Sequence, residues 1–232
     1  MIEVKNAVKR FKKVKALDDI SFNIEKGKIT ALLGLNGAGK STIMKVIMGL
    51  QRLNSGEILI DGEKLNYKQY DKISLIPDIS CHYSFMTIKE LFQYMNTFYK
   101  NWDMKKADQM LKDFKLEDFK KISNLSKGNI ARVKLIIGFC QNPKYLLMDE
   151  PFSGIDIFTR EDFIKSMIRL MNDNMAILLT THEIKEIEHL ADEVVLIENG
   201  KLISKFNVEE LKENQGLSIE DKLREVYKNG EK

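Results

Sequence analysis

A nine-residue segment near the N-terminus constrains the fold of this chain more than any other feature. Residues 34–42 read GLNGAGKST and match the pattern G-x-x-x-x-G-K-[ST]. The apolar residues 29–33 before it are typical of a buried strand, and a helical pattern follows over residues 39–48. Glycines in such a loop let backbone N–H groups surround phosphate oxygens, and the helix N-terminus adds partial positive charge. The segment predicts binding of a nucleoside triphosphate, since a purely structural glycine turn is rare in this context.

Side chains within this loop predict how phosphates and a metal ion are held. Lys40 is long enough to reach the β- and γ-phosphates, and the hydroxyl of Ser41 is a ligand for Mg²⁺. The other phosphate contacts are predicted from Asn36, Gly37, Ala38, Gly39 and Thr42.

Hydrophobic periodicity divides the chain into a sheet-forming core and a helical insertion. Strands are predicted over residues 2–8, 17–24, 29–33, 57–60, 145–148, 176–180, 194–197 and 202–204. Residues 87–140 have a helical period that begins at Thr87 with the form of a capping box, and further helices are predicted over residues 158–171 and 183–190. Strands separated by helices of this length imply a parallel sheet covered on both faces. The predicted fold class is therefore α/β with an inserted helical lobe.

Composition excludes several other classes of protein. The 232 residues are 44% hydrophobic and 31% charged, which excludes a disordered chain, and the net charge of +3 demands neither nucleic acid nor an anionic membrane as partner. The longest apolar stretches are far shorter than the roughly 20 residues of a spanning helix. Cys81 and Cys140 lack the spacing of a disulfide framework or a zinc site. Because the N-terminus also lacks the pattern of a secretory signal, we expect a cytoplasmic protein.

Two carboxylates follow the predicted strand of residues 145–148. A carboxylate at the C-terminal end of a parallel strand faces the crevice in which ligands bind. Asp149 is predicted to organise Mg²⁺, directly or through water, and Glu150 to orient and deprotonate an attacking water. Without the upstream loop, the two residues would be interpreted as solvated carboxylates at a strand end.

A second loop has the character of an anion-binding helix start. Residues 125–129 read LSKGN and precede an apolar helix predicted over residues 130–140. Because one nucleotide does not easily need two such loops from one chain, this loop is predicted to serve a nucleotide held by another copy. By itself the peptide is equally consistent with a plain helix cap at Ser126.

The order of these motifs resembles the nucleotide-binding subunit of ATP-binding cassette (ABC) transporters. The resemblance extends over residues 2–204, and its motifs are residues 34–41, 125–128, 147–151, 153–156 and 181–183. It implies a P-loop NTPase fold of the ABC ATPase type, with a RecA-like parallel core, an antiparallel β subdomain and the helical lobe. It also implies a head-to-tail dimer that closes on two ATP molecules, reopens after hydrolysis and drives a separate membrane subunit.

The resemblance implies one domain over residues 1–232. The α/β core with its β subdomain is expected in residues 1–78 and 141–205. The helical lobe is expected in residues 79–140 and includes the loop of residues 125–129, called the signature loop in this family. Residues 206–232 are expected to form C-terminal helices.

Further roles follow from the resemblance residue by residue. Phe11 is implied to stack on adenine, and Ser126 and Gly128 to meet the ATP of the opposite subunit. His182 is implied to contact the γ-phosphate and the attacking water. Residues 153–156, which end at Asp156, are implied to form the D-loop that touches the partner's site.

Two departures from the family pattern affect these roles. Position 78 is Asp where the family has a glutamine that ligates Mg²⁺, and Asp78 keeps a carboxylate with a shorter reach. The signature loop has Lys127 and Asn129 where Gly and Gln are common, which adds a cation near the γ-phosphate. Hydrolysis is still expected, because Lys40, Asp149, Glu150 and His182 are all present.

The predicted partners are a second ATPase subunit, identical or different, and an integral membrane permease. Aromatic and methionine side chains are concentrated between residues 81 and 102, so the permease is expected to contact the lobe near Ile79 to Trp102. The alternative is that most of these side chains form the core of the lobe. Bound to such a permease, the subunit would lie peripherally on the inner face of the cell membrane. The lysines and arginine of residues 5–15 are interpreted as a solvated sheet edge, so no nucleic acid is expected.

Residues 98–103 and these departures resemble the ATPase subunits of bacterial exporters, including those for antimicrobial or toxin peptides, with phenol-soluble modulin exporters as one candidate. The rival prediction is a soluble ABC-type ATPase that acts on ribosomes or DNA or has a regulatory role. One phosphate-binding loop and the lack of sustained heptads disfavour the ribosomal and chromosomal forms, and the regulatory form stays open.

Overall fold

The computed structural model describes residues 1–79 and 83–230. In chain order its strands are Ile2–Phe11 (β1), Val14–Ile24 (β2), Ile29–Leu33 (β3), Ser55–Ile60 (β4), Glu63–Lys64 (β5), Ile73–Ile76 (β6), Tyr145–Asp149 (β7), Ala176–Thr180 (β8), Glu193–Glu198 (β9) and Lys201–Asn207 (β10). The α-helices are Lys40–Ile47 (α1), Ile88–Phe98 (α2), Met104–Asp113 (α3), Lys127–Cys140 (α4), Ile157–Leu170 (α5), Ile184–Ile187 (α6), Val208–Gln215 (α7) and Ile219–Gly230 (α8). Short 3-10 helices cover Tyr67–Lys72 and Ile122–Asn124.

A six-stranded sheet forms the centre of the molecule, in the order β10-β9-β3-β8-β7-β6. The five strands from β9 to β6 run parallel, and β10 pairs antiparallel with β9. Every residue of β3 and β8 is buried, which explains why both read as continuous apolar runs rather than as alternating strands. The predicted α/β fold class is confirmed.

The N-terminal strands form a separate antiparallel sheet in the order β2-β1-β4-β5. Ile2 pairs with Ile24 on one side and with Ile60 on the other, so alternate residues of these strands face inward together. Their inward side chains pack with α1 and with Leu32, Leu147 and other residues of one face of the central sheet.

The helical lobe packs against the opposite face of the central sheet. Helix α4 lies against β6, and its buried residues join a core that includes Leu146 and Met148 of β7. The Phe92 and Trp102 rings lie 5.6 Å apart in this core. The alternative interpretation of the aromatic residues is thus correct for these two, whereas Tyr83, Phe85, Phe98 and Tyr99 are exposed.

Differences from the predicted elements occur mainly near the C-terminal end. Helix α6 has four residues instead of the predicted eight, because the chain turns at residues 188–190, where the N–H of Leu190 donates to the carbonyl of Ile187. Strand β10 is longer than predicted, and α7 follows it directly. Helix α8 begins after Ser218, whose hydroxyl caps the helix by accepting the N–H of Asp221. Among residues 1–79 and 83–230, no helix has both the length and the apolar character that crossing a membrane requires.

Asp61 links the chain N-terminus, the start of β7 and two lysines through its carboxylate. Its carboxylate accepts hydrogen bonds from the Tyr145 hydroxyl at the start of β7 and lies 3.2 Å from the N-terminal amine, from Lys26 Nζ and from Lys72 Nζ. Burial acts to raise the pKa of Asp61, but these four donors prevail and hold it well below its ordinary value.

Candidate nucleotide site

Sheet topology brings the sequence motifs to one edge of the molecule. Strands β3, β8, β7 and β6 are parallel neighbours, so the residues after them meet at the same carboxyl edge. The loop of residues 34–39 follows β3, Asp149 ends β7, and Thr180 ends β8. Asp78 lies two residues beyond β6. The site is therefore built from segments far apart in sequence.

Two glycines allow the loop after β3 to pass close to neighbouring backbone. Gly34 has a φ of 154°, and a Cβ there would lie 2.2 Å from the carbonyl oxygen of Ile197. Gly39 has a φ of 112° and precedes α1, and a Cβ there would lie 2.7 Å from the carbonyl oxygen of Ala16. Any other residue would push the loop away from β9 and β2. The tight curve leads into α1, and the first N–H groups of a helix lack partners within the helix, which suits a phosphate group.

Lys40 is the first residue of α1, and its side chain folds back over the loop. Its Nζ donates to the carbonyl oxygens of Gly34, at 2.7 Å, and Leu35, at 3.3 Å, and the residue is 8% exposed. The cation is therefore held at the centre of the loop rather than in solvent.

Asp149, Thr180 and Ser41 form a cluster of oxygen atoms beside the loop. Thr180 Oγ1 donates to Asp149 Oδ1 at 2.6 Å, and Ser41 Oγ lies 3.4 Å from the same carboxylate oxygen. A hydroxyl and a carboxylate at this spacing are the hard oxygen donors that Mg²⁺ takes together with substrate phosphates.

Glu150 and His182 meet at the mouth of the same edge. Glu150 has a φ of 48°, and its N–H donates to both the carbonyl and the hydroxyl oxygens of Thr180, at 3.1 and 3.0 Å. This conformation turns the carboxylate toward the loop that follows β8, where His182 Nδ1 lies 2.9 Å from Glu150 Oε2. The glutamate side chain is 18% exposed and the histidine 62%, so the pair is accessible from solvent through the ring.

A cleft of about 320 Å³ joins most of these residues. Its lining residues are Ala16, Asn36, Gly37, Gly39, Lys40, Ser41, Thr42, Asp78 and Glu150. Most of the predicted phosphate-binding residues thus share one space with Asp78 and Glu150, whereas Ala38, Asp149 and His182 are not among the described residues that line it.

Ser126, Gly128 and Asp156 lie apart from this cleft within the described part of the chain. Ser126 Oγ accepts the N–H of Asn129 as the cap of α4, and Asp156 Oδ1 accepts the N–H of Thr159 as the cap of α5. A Cβ on Gly128 would lie 2.9 Å from Thr159 Cγ2, so the two helix starts pack directly against each other. The hydrogen bonds from Thr159 also lower the pKa of Asp156. The two loops form one exposed surface beside the cleft.

A family model described as "ABC transporter" matches residues 17–153, which is more than half of the chain. The chain belongs to this family. The ABC transporter ATP-binding protein YtrB of Bacillus subtilis (strain 168) is 32% identical over 216 residues, 92% of this chain and 74% of that protein. The xylose/arabinose import ATP-binding protein XylG of Sulfolobus acidocaldarius is 29% identical over 92% of each chain. The chain is accordingly an ABC ATPase and the ATP-binding subunit of an ABC transporter.

Solved structures agree with this assignment. One described as the ATP binding subunit of an ABC transporter superimposes with a TM-score of 0.86 at 27% identity, over the full length of both chains. A dimeric ATP-binding cassette in a post-hydrolysis state, bound to ADP and Pi, superimposes with a TM-score of 0.80 at 25% identity, over 90% of this chain and 99% of that one. The ABC cassette fold predicted from the sequence is confirmed.

Phe11 of this ABC ATPase ends β1 in a tight hairpin, where it pairs with Val14. The ring is 42% exposed, and Lys9 Nζ lies 5.0 Å from its centroid. An exposed face on an aromatic ring is what stacking on a base requires, but the adenine contact stays a prediction.

Asp78 and Lys127, which depart from the family pattern, border a second cleft of about 310 Å³ in the ABC ATPase. Asp78 and Glu150 line both clefts, and Lys127 and Lys134 of α4 line the second. Lys134 Nζ donates to the backbone carbonyls of Pro77 and Asp78, so α4 holds the segment that carries Asp78. Lys127 lies against Gly154 of its own chain, and a Cβ on Gly154 would be 3.5 Å from Lys127 Nζ.

Sequence reasoning missed Thr180 as a site residue. It links Asp149 to the backbone of Glu150, and it is fully buried. The available signal was a hydroxyl residue at the end of an otherwise apolar strand, next to the strand that ends in Asp149.

Proposed function

We propose that this ATP-binding subunit hydrolyses Mg-ATP at sites shared between two subunits and thereby powers transport through a separate membrane permease. The observation that carries this proposal is the Glu150–His182 pair, which lies at the sheet edge where Lys40, Ser41 and Asp149 converge.

Each residue of this edge has a chemical task in the proposal. Lys40 and the backbone N–H groups of the loop bind the phosphates, which places the terminal phosphate near Glu150. Glu150 accepts the proton of the attacking water, and His182 orients the glutamate and the water through its ring nitrogens. Ser41 and Asp149, with Asp78 nearby, would hold Mg²⁺, which would neutralise charge on the phosphate oxygens.

The placement of Ser126 and Gly128 supports a site completed by a second subunit. Both lie outside the cleft of their own chain, in the surface that also carries residues 153–156. A related cassette bound to ADP and Pi is dimeric. We therefore propose that this surface closes over the ATP of the other subunit, in a homodimer or a heterodimer.

The aromatic surface of the helical lobe supports contact with a permease. Tyr83, Tyr94 and Phe98 form a row with centroid distances of 5.8 and 4.6 Å, and Tyr83 also lies 5.6 Å from Phe85. Apolar side chains of this size in solvent are typical of interfaces. We propose that a cytoplasmic helix of the permease binds near Ile79 to Trp102, which would place the subunit on the inner face of the membrane. Residues 80–82, which the prediction includes, lie outside the described residues.

Export of a peptide remains our proposal for the cargo, on the sequence resemblance alone. Several relatives are named as sugar import proteins, including XylG and the galactose/methyl galactoside import protein of Clostridium perfringens. Identification of the permease therefore tests both the direction of transport and the cargo.

The test is affinity capture of the tagged Glu150→Gln subunit from detergent-solubilised membranes with Mg-ATP, followed by mass spectrometry. The wild-type subunit without nucleotide is the control. A polytopic membrane protein in stoichiometric amount is the expected result. Ribosomal proteins, DNA-binding proteins or the subunit alone would contradict the proposal and favour the soluble rivals.

A further inference from the structure

Arg160 lies in the first turn of α5 and bridges three parts of the chain. Its Nη1 lies 2.9 Å from Glu186 Oε1 and 3.2 Å from Glu183 Oε2, and its Nη2 donates to the carbonyl oxygen of Ile155 at 3.4 Å. The side chain is 15% exposed. This is the geometry of a held guanidinium rather than of a solvated surface arginine.

The three partners belong to two segments beside the proposed site: Glu183 and Glu186 follow β8, and Ile155 lies between β7 and α5. Glu183 is the residue after His182, and its N–H donates to Thr181 Oγ1 at 3.0 Å. Ile155 precedes Asp156 in the loop that is implied to touch the second subunit. The guanidinium therefore ties the segment carrying His182 to the D-loop within one chain.

Electrostatics favour a charged arginine at this position. Burial acts to lower the pKa of Arg160, but the hydrogen bond to Glu186 and the charge of Glu183 raise it above its ordinary value. Its Nε is buried and has no hydrogen-bond partner among the described residues. The contacts that hold the guanidinium are made by Nη1 and Nη2.

We propose that Arg160 is a positioning residue that holds His182 against Glu150 and transmits displacement of the D-loop to this pair. The proposal rests on the proposed roles of Glu150 and His182. It predicts that dimer contacts at residues 153–156 change the alignment of the catalytic pair without any contact between Arg160 and the nucleotide.

The experiment compares Arg160→Met and Arg160→Lys with Arg169→Met. Arg169 lies on the same helix, is more exposed and pairs with Asp113, so it controls for loss of a surface ion pair. Two quantities are measured: the kcat and KM of ATP hydrolysis, and the position of the His182 ring resonance in the NMR spectrum of ¹³C-histidine-labelled protein. The chain has three histidines, and His182→Ala assigns the peak.

Arg160→Met is expected to lower kcat by roughly 10- to 100-fold through misalignment, with KM within about twofold of wild type. Its His182 resonance should move, Arg160→Lys should recover part of both effects, and Arg169→Met should change neither. If Arg160→Met does not fold, Glu186→Ala replaces it, since this change removes the oxygen that accepts from Arg160 at 2.9 Å and leaves Glu183 in place.

An unmoved His182 resonance in a folded variant would overturn the proposal, and so would an increase in KM at unchanged kcat. Failure of the proposed function gives a different result. In that case Glu150→Gln keeps full turnover, while the resonance of His182 still reports whether Arg160 positions the ring.

Discussion

The Nδ1 atom of His182 lies 2.9 Å from Oε2 of Glu150, although 32 positions separate the two residues in the chain. Pairing of β7 with β8 sets this distance, because Asp149 and Thr180 are register partners and Glu150 and His182 follow them. A shift of one residue in this pairing would separate the two side chains. The pairing of the two proposed catalytic residues is thus specified by the sheet core.

Replacing Glu150 by Gln should separate ATP binding from hydrolysis. The amide keeps the size of the side chain but accepts no proton, so turnover should fall by roughly 10²- to 10⁴-fold while nucleotide affinity is retained. Phosphate release measures the first quantity and equilibrium binding of a fluorescent ATP analogue the second.

Light scattering on size-exclusion chromatography should also show the Glu150→Gln variant accumulating as a dimer with Mg-ATP. Glu161→Gln is the matched control, since Glu161 is an exposed residue of α5 paired with Lys165. Wild-type turnover in Glu150→Gln would contradict the assignment of the general base.

Thr180→Val and Thr30→Val form a second matched pair. Both threonines are fully buried in neighbouring strands, but Thr180 Oγ1 donates to Asp149, whereas Thr30 Oγ1 has no hydrogen-bond partner within the described residues. Thr180→Val should raise the Mg²⁺ concentration for half-maximal ATPase activity by roughly 10- to 100-fold, since a hydrogen-bond partner of Asp149, the proposed metal ligand, is lost. Thr30→Val should keep the activity and raise the free energy of unfolding by about 1 kcal/mol. Equal effects of the two changes on Mg²⁺ dependence would refute the role of Thr180.

Asp78→Ala tests whether the aspartate takes part in metal binding. Asp78 lines the cleft together with Ser41, so its loss should raise the Mg²⁺ requirement by roughly tenfold. Nucleotide binding measured in EDTA should stay unchanged. Asp113→Ala is the control, because this carboxylate is paired with Arg169 outside the cleft. An unchanged Mg²⁺ titration for Asp78→Ala would remove Asp78 from the metal site.

Asp61→Asn should destabilise the fold without a direct effect on the nucleotide cleft. The change removes a carboxylate that accepts from the buried Tyr145 hydroxyl and pairs with three amines, and should lower the free energy of unfolding at pH 7 by about 2 kcal/mol. Urea denaturation measures this difference.

The Asp61→Asn effect should also depend on pH. Because folding lowers the pKa of Asp61, its contribution is complete well above the unfolded pKa of roughly 3.9 and decreases as the pH falls below that value. The difference between wild type and variant should therefore be smaller at about pH 3 than at about pH 7. A difference that grew on acidification would contradict the proposed ion pairs.

Local sequence patterns predicted the parts of the site that are contiguous. The loop before Lys40 and the carboxylates at the end of β7 are each contiguous in sequence, and the apolar strands in front of them indicated a parallel sheet. The roles of Thr180 and Arg160 could not be predicted in this way. Their partners Asp149 and Glu186 are 31 and 26 positions away, and the contacts depend on register and on helix packing.

The burial of individual aromatic residues could not be predicted from the sequence either. Phe92 and Phe98 belong to the same helix and have the same apolar character, yet Phe92 is buried and Phe98 is exposed. Which face of α2 is covered depends on α3 and α4, whose positions follow from the tertiary fold. The early end of α6 has a similar origin, since the turn at residues 188–190 leads the chain back to β9.

The position of the Lys40 ammonium group limits what a Lys40 variant can reveal. The amine donates to Gly34 and Leu35, so it cross-links the two ends of a sharply curved peptide. Removing it would loosen that curve as well as delete the phosphate contact. Weak ATP binding by such a variant would then combine a lost attraction with a lost preorganisation of the loop. For experiments that mix active and inactive subunits, Glu150 is the better residue to replace, because the hydrogen bonds from Lys40 to Gly34 and Leu35 then remain.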